Sequence, residues 1–333
     1  MIYEVMLKQG GKIMKTVGIP RGMLFYEYYP MWEEYFKSLN INVLISPKTN
    51  KDILNSGVVN CVDEACLPVK IFHGHVEYLK DKVDYLFIPR FISIYKKEYC
   101  CPKHLGLADM VKHSIEGLPP IISPEININK INSVRKAILS TGKIINKNYF
   151  AVAKAFKNSC DAQNSYNDWL YSQIGHKNNN EINIEGNFKL LILGHSYNVY
   201  DEFINMGILE KLSNENIKMV FAEDVPEDDI RFFSNKIPRR MFWTHGRRIA
   251  GAAYSLIERD QIDGVIYLSA FGCGLDSVLI HLVERKAFEN SIPLLIMTLD
   301  EQTGEAGFLT RLEAFLDMLK WRNKDENNFS ALR

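Results

Sequence analysis

The chain carries no net charge: Lys and Arg together number 40, and so do Asp and Glu. That balance excludes a basic excess as the basis for binding nucleic acid or an anionic membrane. Six cysteines are spread over 333 residues without one C-x-x-C pair, which speaks against a compact structural zinc module of close-spaced ligands. No uninterrupted apolar run reaches the roughly 20 residues that a bilayer span needs, and no G-x-x-x-x-G-K-[ST] sequence is present, so ATP hydrolysis by this chain itself is not expected. Residues 1–13 have no long apolar core and no small-residue cleavage site. They read as a frayed extension or an alternative start rather than a signal peptide. The expected location is therefore cytoplasmic, where cysteines serve as thiols or metal ligands rather than disulfides.

What is present is apolar material, 47% of the residues, enough for one large domain or two lobes of ordinary size. Short β-rich runs alternate with helical periodicity, twice over. Thr16–Pro20 and Val43–Ser46 flank an aromatic helix from Phe25 to Leu39, on which Tyr28, Trp32, Tyr35, Phe36 and Leu39 recur at helical spacing. A second helix starts near Cys66 and runs to Leu79, and Val83–Pro89 reads as a buried parallel strand. A short helix around Leu105–His113 and a strand at Pro120–Pro124 complete the first lobe, residues 14–145. A long helix from Lys147 to Ile174, carrying Phe150, Val152, Ala155, Phe156, Trp169 and Ile174, ends in an Asn-rich stretch at Lys177–Asn180. Residues 146–187 form the expected connecting helix and hinge. The second lobe, 188–325, repeats the rhythm with strands at Lys189–Leu193, Lys218–Ala222, Gly264–Ala270 and Pro293–Thr298. The expected class is α/β, two similar three-layer lobes with parallel sheets.

Three cysteines stand where strands end or helices begin: Cys66 in Asp63-Glu64-Ala65-Cys66-Leu67-Pro68, Cys101 before Pro102, and Cys273 between Gly272 and Gly274. Loops at the carboxyl ends of parallel strands converge on a crevice whatever their separation along the chain. A helix amino end favours thiolate through its orphan N–H groups and dipole, and glycines beside Cys273 let a bulky group approach the backbone. Three soft ligands suit iron and sulfur. A single cysteine is more often a small buried hydrophobe; the shared placement of three reverses that reading. Cys61 and Cys100 remain alternative ligands, although Cys100 and Cys101 are adjacent, so in extended chain only one of them aims at a common centre. Cys160 lies inside the long helix and reads as packing.

Other polar positions carry weaker signals. Gly194-His195-Ser196-Tyr197-Asn198 follows a strand and opens a helix, so its backbone, with Ser196, could hold an anion, and His195 could donate a proton. Arg21 in Gly18-Ile19-Pro20-Arg21-Gly22 is a candidate crevice residue or a surface contact. Asp300, Glu301, Thr303, Gly304 and Glu305 follow the last strand, with Glu301 a candidate catalytic carboxylate. Arg311 and Glu313 are expected to form a structural ion pair. Lys70 and Lys103 lie near two of the cysteines in sequence and could neutralise the charge of a bound cluster, although solvated lysines are commoner and solvation is expected. His73 and His75, two apart on a helix, face different directions and make a poor metal pair.

The runs Gly18–Tyr26, Asp63–Lys70, Cys101-Pro102-Lys103, Gly194–Asn198, Phe271-Gly272-Cys273-Gly274, Asp300–Gly307 and Arg311–Phe315 together resemble the acyl-CoA dehydratase activase-related proteins. These are relatives of the 2-hydroxyacyl-CoA dehydratase D-component and, more distantly, of double-cubane cluster proteins. The resemblance covers nearly everything after Met14. It implies an oxygen-sensitive iron–sulfur cluster, [4Fe-4S] or double-cubane, held in a cleft between two Rossmann-like lobes by three cysteines that map onto Cys66, Cys101 and Cys273. It further implies an ATP-dependent iron–sulfur activator as electron donor, an acyl-CoA substrate, and a dimer, either homodimeric or with a homologous subunit. A non-catalytic cluster carrier or scaffold, or a double-cubane reductase of small molecules, is the alternative.

Overall fold

The computed structural model describes residues 14–130, 132–177 and 188–330, with side chains placed for 14–130, 132–168 and 188–322. Contacts divide the chain into two compact units after Leu170. Residues 1–13 and Asn178–Asn180 of the expected hinge lie outside the described residues, as do the side chains of Trp169 and Ile174.

The first unit opens with β1 (Thr16–Ile19), α1 (Phe25–Ser38) and β2 (Asn42–Ile45). It continues through α2 (Lys51–Val59), α3 (Leu67–Leu79), β3 (Tyr85–Phe87), β4 (Arg90–Ser93) and α4 (Pro102–Ser114). Then follow β5 (Ile121–Ile122), β6 (Glu125–Asn127), α5 (Ser133–Ile144) and α6 (Tyr149–Lys177), which runs past the division. Four strands form a parallel sheet in the order β2-β1-β3-β5, and β4 pairs with β6 in a separate parallel ribbon. Val17, Ile19, Phe87 and Ile122 present one face of the sheet to Trp32, Tyr35 and Phe36 of α1 and to Val152 and Ala155 of α6. Helix α6, expected as a connector, thus contributes to this core. It is also tied to α1 by Asn158 Nδ2 donating to Ser38 Oγ at 3.0 Å.

Four elements here were not expected from the sequence: α2, β4, β6 and α5. Helix α2 is nine residues long, capped by Asn50, whose Oδ1 accepts from Ile53 N at 3.0 Å. Its stability comes from α3 rather than from its own length. A Cβ added to Gly57 would lie 1.9 Å from the Lys70 carbonyl oxygen, and one on Gly74 would lie 1.9 Å from that of Ile53. The two helices therefore cross with their backbones touching, which holds the first turns of α3, and Cys66 with them, in place.

The second unit contains β7 (Lys189–Gly194), α7 (Ser196–Val199), α8 (Ile208–Asn214) and β8 (Lys218–Phe221). It continues with α9 (Glu227–Ser234), α10 (Thr244–Glu258), β9 (Gly264–Ala270), α11 (Gly274–Glu289), β10 (Leu294–Leu299) and α12 (Glu305–Ser330). Its sheet, again wholly parallel, runs β10-β9-β7-β8. Every residue of β9 is buried, as expected of a central parallel strand covered on both faces. Alternate residues divide between the layers. Leu191, Leu193, Val265 and Tyr267 pack against α9, α10 and α11, while Leu190 lies on the other face, where Phe315 of α12 closes over Gly264. Numbered by chain order, the four principal strands of each sheet read 2-1-3-4. In such doubly wound sheets the connections diverge between the first and third strands, leaving a crevice at their carboxyl ends.

Candidate functional site

In the second unit that divergence falls between β7 and β9. Gly194 ends β7 with φ of 152°, and a Cβ there would sit 2.5 Å from the Leu268 carbonyl oxygen. Only glycine allows this approach. The next residue, His195, caps α7 and is 3% exposed. After β9, Gly272 adopts φ of 74° and the chain turns so that Cys273 N donates to Ala270 O at 3.1 Å. Cys273 is the N-cap of α11, and its Sγ accepts from Asp276 N at 3.5 Å. Gly274, the first residue of the helix, has nothing within 4 Å of where a Cβ would stand.

Asp276 lies in the first turn of α11, where a negative charge is favoured by the helix dipole. It is 1% exposed, so its charge must be met by donors. Tyr267 Oη donates to Oδ1 at 2.9 Å and Ala270 N donates to Oδ2 at 3.3 Å. Burial, and then the neighbouring carboxylate, hold the Tyr267 phenol well above its ordinary pKa, so it stays a donor. His195 Nε2 lies 3.4 Å from Asp276 Oδ1 and 3.9 Å from Cys273 Sγ. Its ring is stacked on Tyr197 at 5.0 Å and meets the edge of His245, at the start of α10, at 5.9 Å. His195, Cys273 and Asp276 thus offer three donor atoms within 4.8 Å of one another. The sequence reading had His195 and Cys273 but missed Asp276, Tyr267 and His245. The available signal was Cys-x-x-Asp at a helix start, and a tyrosine in an otherwise aliphatic strand.

In the first unit the corresponding divergence lies between β1 and β3, and it is filled. A cavity of only about 20 Å³ remains there, its lining including Gly22, Met23, Phe72, Phe87, His104 and Leu107. Arg21, the candidate crevice residue, is fixed by its backbone N donating to Ser46 Oγ at 2.8 Å and its Nε to Ser46 O at 3.3 Å, with its guanidinium over the Phe25 ring.

Cys66 and Cys101 are the N-caps of α3 and α4, each followed by a proline in the first turn. Helix α4 begins at Pro102 rather than near Leu105, so Cys101 stands at a helix start just as Cys66 does. Lys70 of α3 and Lys103 of α4 both act electrostatically on the Cys61 thiol, lowering its pKa against the larger effect of burial. Lys70, expected to be solvated, is 3% exposed. The remaining cysteines behave as packed thiols. Cys100 points into the α1 core, and burial, then Glu27 and Cys101, push its pKa up to about 12. Burial also raises Cys61 and Cys160, and Cys160 lines an apolar cavity of about 190 Å³ with Tyr28, Trp32 and Phe156. His73 Nδ1 is bonded to Val69 O, and His75 Nε2 to Thr49 Oγ1.

Beyond β10, Asp300 Oδ1 accepts from Gln302 N at 2.9 Å and Thr303 Oγ1 at 2.7 Å, which makes a closed turn with the half-buried Glu301 inside it. Glu305 forms an exposed pair with Lys211. Arg311 donates to Ile296 O at 2.5 Å rather than pairing with Glu313; two residues apart on a helix, their side chains diverge. Ser196 is buried in the first turn of α7, and its carbonyl accepts from Tyr200 N.

Residues 16–225, well over half of the chain, match the family model described as the CoA enzyme activase uncharacterised domain. The chain belongs to this family. Residues 152–319 also match the 2-hydroxyglutaryl-CoA dehydratase D-component. The first match contains Cys66 and Cys101, and the second contains His195, Cys273 and Asp276. No curated protein matches. Among solved structures, the chain is similar to a periplasmic binding protein/LacI transcriptional regulator from Alkaliphilus metalliredigens QYMF, complexed with D-xylulofuranose. The two are 12% identical over 86% of this chain and 96% of that one, with a TM-score of 0.21, too low to support any further comparison. Among the described residues, no helix is long and apolar enough to cross a membrane.

Proposed function

We propose that this member of the activase and dehydratase D-component families is an iron–sulfur redox protein of the 2-hydroxyacyl-CoA dehydratase type. Cys66, Cys101 and Cys273 supply its thiolate ligands, and an ATP-dependent activator supplies low-potential electrons. The observation that carries this reading is that each of these three cysteines occupies the N-cap position of a helix, whereas burial raises the pKa of all three other cysteines. The donor set fits a cluster: soft sulfur atoms at positive helix ends favour the anionic form that iron requires. The open space beside Gly274 leaves room for a bulky group near the Cys273 backbone. When bound, such a cluster supplies one-electron chemistry toward an acyl-CoA thioester.

The chain's own residues have separable tasks. Lys70, buried one turn into α3, and Lys103, in the first turn of α4, are the candidates to neutralise cluster charge. His195, fixed between Tyr197 and Asp276, holds a proton within reach of the Cys273 sulfur and is the candidate donor to a leaving hydroxyl. Glu301, Arg21, Ser196 and Gly272 stay in the proposal as candidates for binding substrate or cluster.

The test is anaerobic purification and reconstitution with iron and sulfide. Stoichiometric iron and sulfide in the wild type, lost in Cys66→Ser, Cys101→Ser and Cys273→Ser but kept in Cys61→Ser, Cys100→Ser and Cys160→Ser, is the expected result. A colourless, iron-free wild type, or iron retained when all three ligands are replaced together, rules the reading out.

A further inference from the structure

We infer that His195, Cys273 and Asp276 form a binding site of their own for a single divalent ion of the Fe²⁺ or Zn²⁺ class. The site lies wholly within the second unit, at the carboxyl ends of β7 and β9. The argument begins with spacing. Bond lengths of about 2.0 Å to nitrogen or oxygen and 2.3 Å to sulfur, at tetrahedral angles, place N and O ligands about 3.3 Å apart and S and N ligands about 3.5 Å apart. The structure has His195 Nε2 and Asp276 Oδ1 at 3.4 Å and Nε2 and Cys273 Sγ at 3.9 Å. The first separation exceeds the 2.7–3.2 Å of a well-formed N–H···O bond and suits two atoms facing a shared ion.

The surroundings fit a ligand set as well. Histidine, thiolate and carboxylate together match a borderline-soft ion rather than magnesium or calcium. Metal-binding carboxylates are themselves held by hydrogen bonds, as Asp276 is by Tyr267 Oη and Ala270 N. The imidazole is clamped by Tyr197 and flanked by His245. His195 and Asp276 are buried, whereas Cys273 is half-buried between the exposed Gly272 and Gly274. An ion thus has an approach from solvent and a coordination position left for water or an oxygen ligand. On binding, the thiol proton passes to solvent and the Sγ–metal bond forms, while neutral His195 uses its Nε2 lone pair.

This site shares the Cys273 sulfur and the His195 imidazole with the iron–sulfur reading, so ion and cluster are alternative occupants of Cys273, but it uses neither Cys66 nor Cys101, and the two readings fail separately. The test is anaerobic titration of the full chain with Co²⁺, which reports thiolate ligation as a sulfur-to-cobalt charge-transfer band. One equivalent is expected to bind in the wild type and equally in the Cys66→Ser/Cys101→Ser double variant, and the band is expected to vanish in Cys273→Ser. His195→Gln and Asp276→Asn, each checked for folding by circular dichroism, should weaken binding by about 10- to 100-fold or more. A band lost in the double variant, or unchanged in whichever of His195→Gln and Asp276→Asn remains folded, overturns the proposal. Loss of iron and sulfide from the wild type with Co²⁺ binding intact removes the cluster reading alone.

Discussion

Strands β1 and β3 in the first unit occupy the same places in a 2-1-3-4 sheet as β7 and β9 in the second, yet the side chains at their carboxyl ends differ in kind. Phe72, Met23 and Leu107 plug the first divergence down to about 20 Å³, and Cys66 and Cys101, at the starts of α3 and α4, are not among the residues that line it. The second divergence holds His195, Cys273 and Asp276. One topology offers a crevice twice. Whether that crevice becomes core or chemistry depends on what the two strand-to-helix turns contribute. In the first unit β1 leads into Arg21, which turns to Ser46, and β3 leads into Ile88-Pro89, which carries no donor group on its side chains. In the second, β7 leads into a histidine and β9 into a cysteine.

That contrast can be broken by experiment. Phe72→Ala empties the plug of the first unit and is expected to cost about 3–5 kcal/mol of stability, measured by urea denaturation, whereas Cys273→Ser costs far less while abolishing metal binding. If Cys273→Ser proved the more damaging to folding, the second divergence would be a structural core like the first. Gly74→Ala is expected to cost about 1–3 kcal/mol, because its methyl meets the Ile53 carbonyl and α2 must shift from α3. Iron binding should weaken with it if the first turn of α3 positions Cys66.

The smallest expected effect concerns pH. Burial, assisted by the charge of Arg21, depresses the pKa of His75 to about 3. Between that value and the ordinary 6.5 the unfolded chain holds the extra proton, so the stabilisation present above pH 6.5 is lost as pH falls toward 3. Between pH 7 and pH 5.5 the wild type should lose roughly 1 kcal/mol that His75→Gln does not. Equal losses in both proteins would place the acid-sensitive group elsewhere.

Legibility from sequence followed the locality of each feature. Strand β9 was read with its bounds intact, because seven consecutive buried residues leave a dense apolar run. The start of α3 was marked by Pro68, since proline prefers the first helical turn, whereas Pro102 gave the same signal for α4 but the helix was expected only from Leu105. By contrast, α2 is short and polar at its start and is stabilised by glycine contacts with α3, so no periodicity within it was strong enough to register. Strands β4 and β6 are four and three residues long and exist by pairing with each other. Asp276 was passed over for a similar reason: an acidic residue in a first helical turn ordinarily just faces the dipole.

The sequence by itself determined the alternation of strands and helices, the placement of three cysteines beside glycine or proline at helix starts, and the family they signal, because each of these rests on neighbouring residues. The tertiary structure alone decided that His195 meets Cys273 across 78 positions of chain, and that the first unit closes the same crevice with phenylalanine. Strand order and register are set by pairing between distant segments, and no local pattern of residues encodes which loops will face each other.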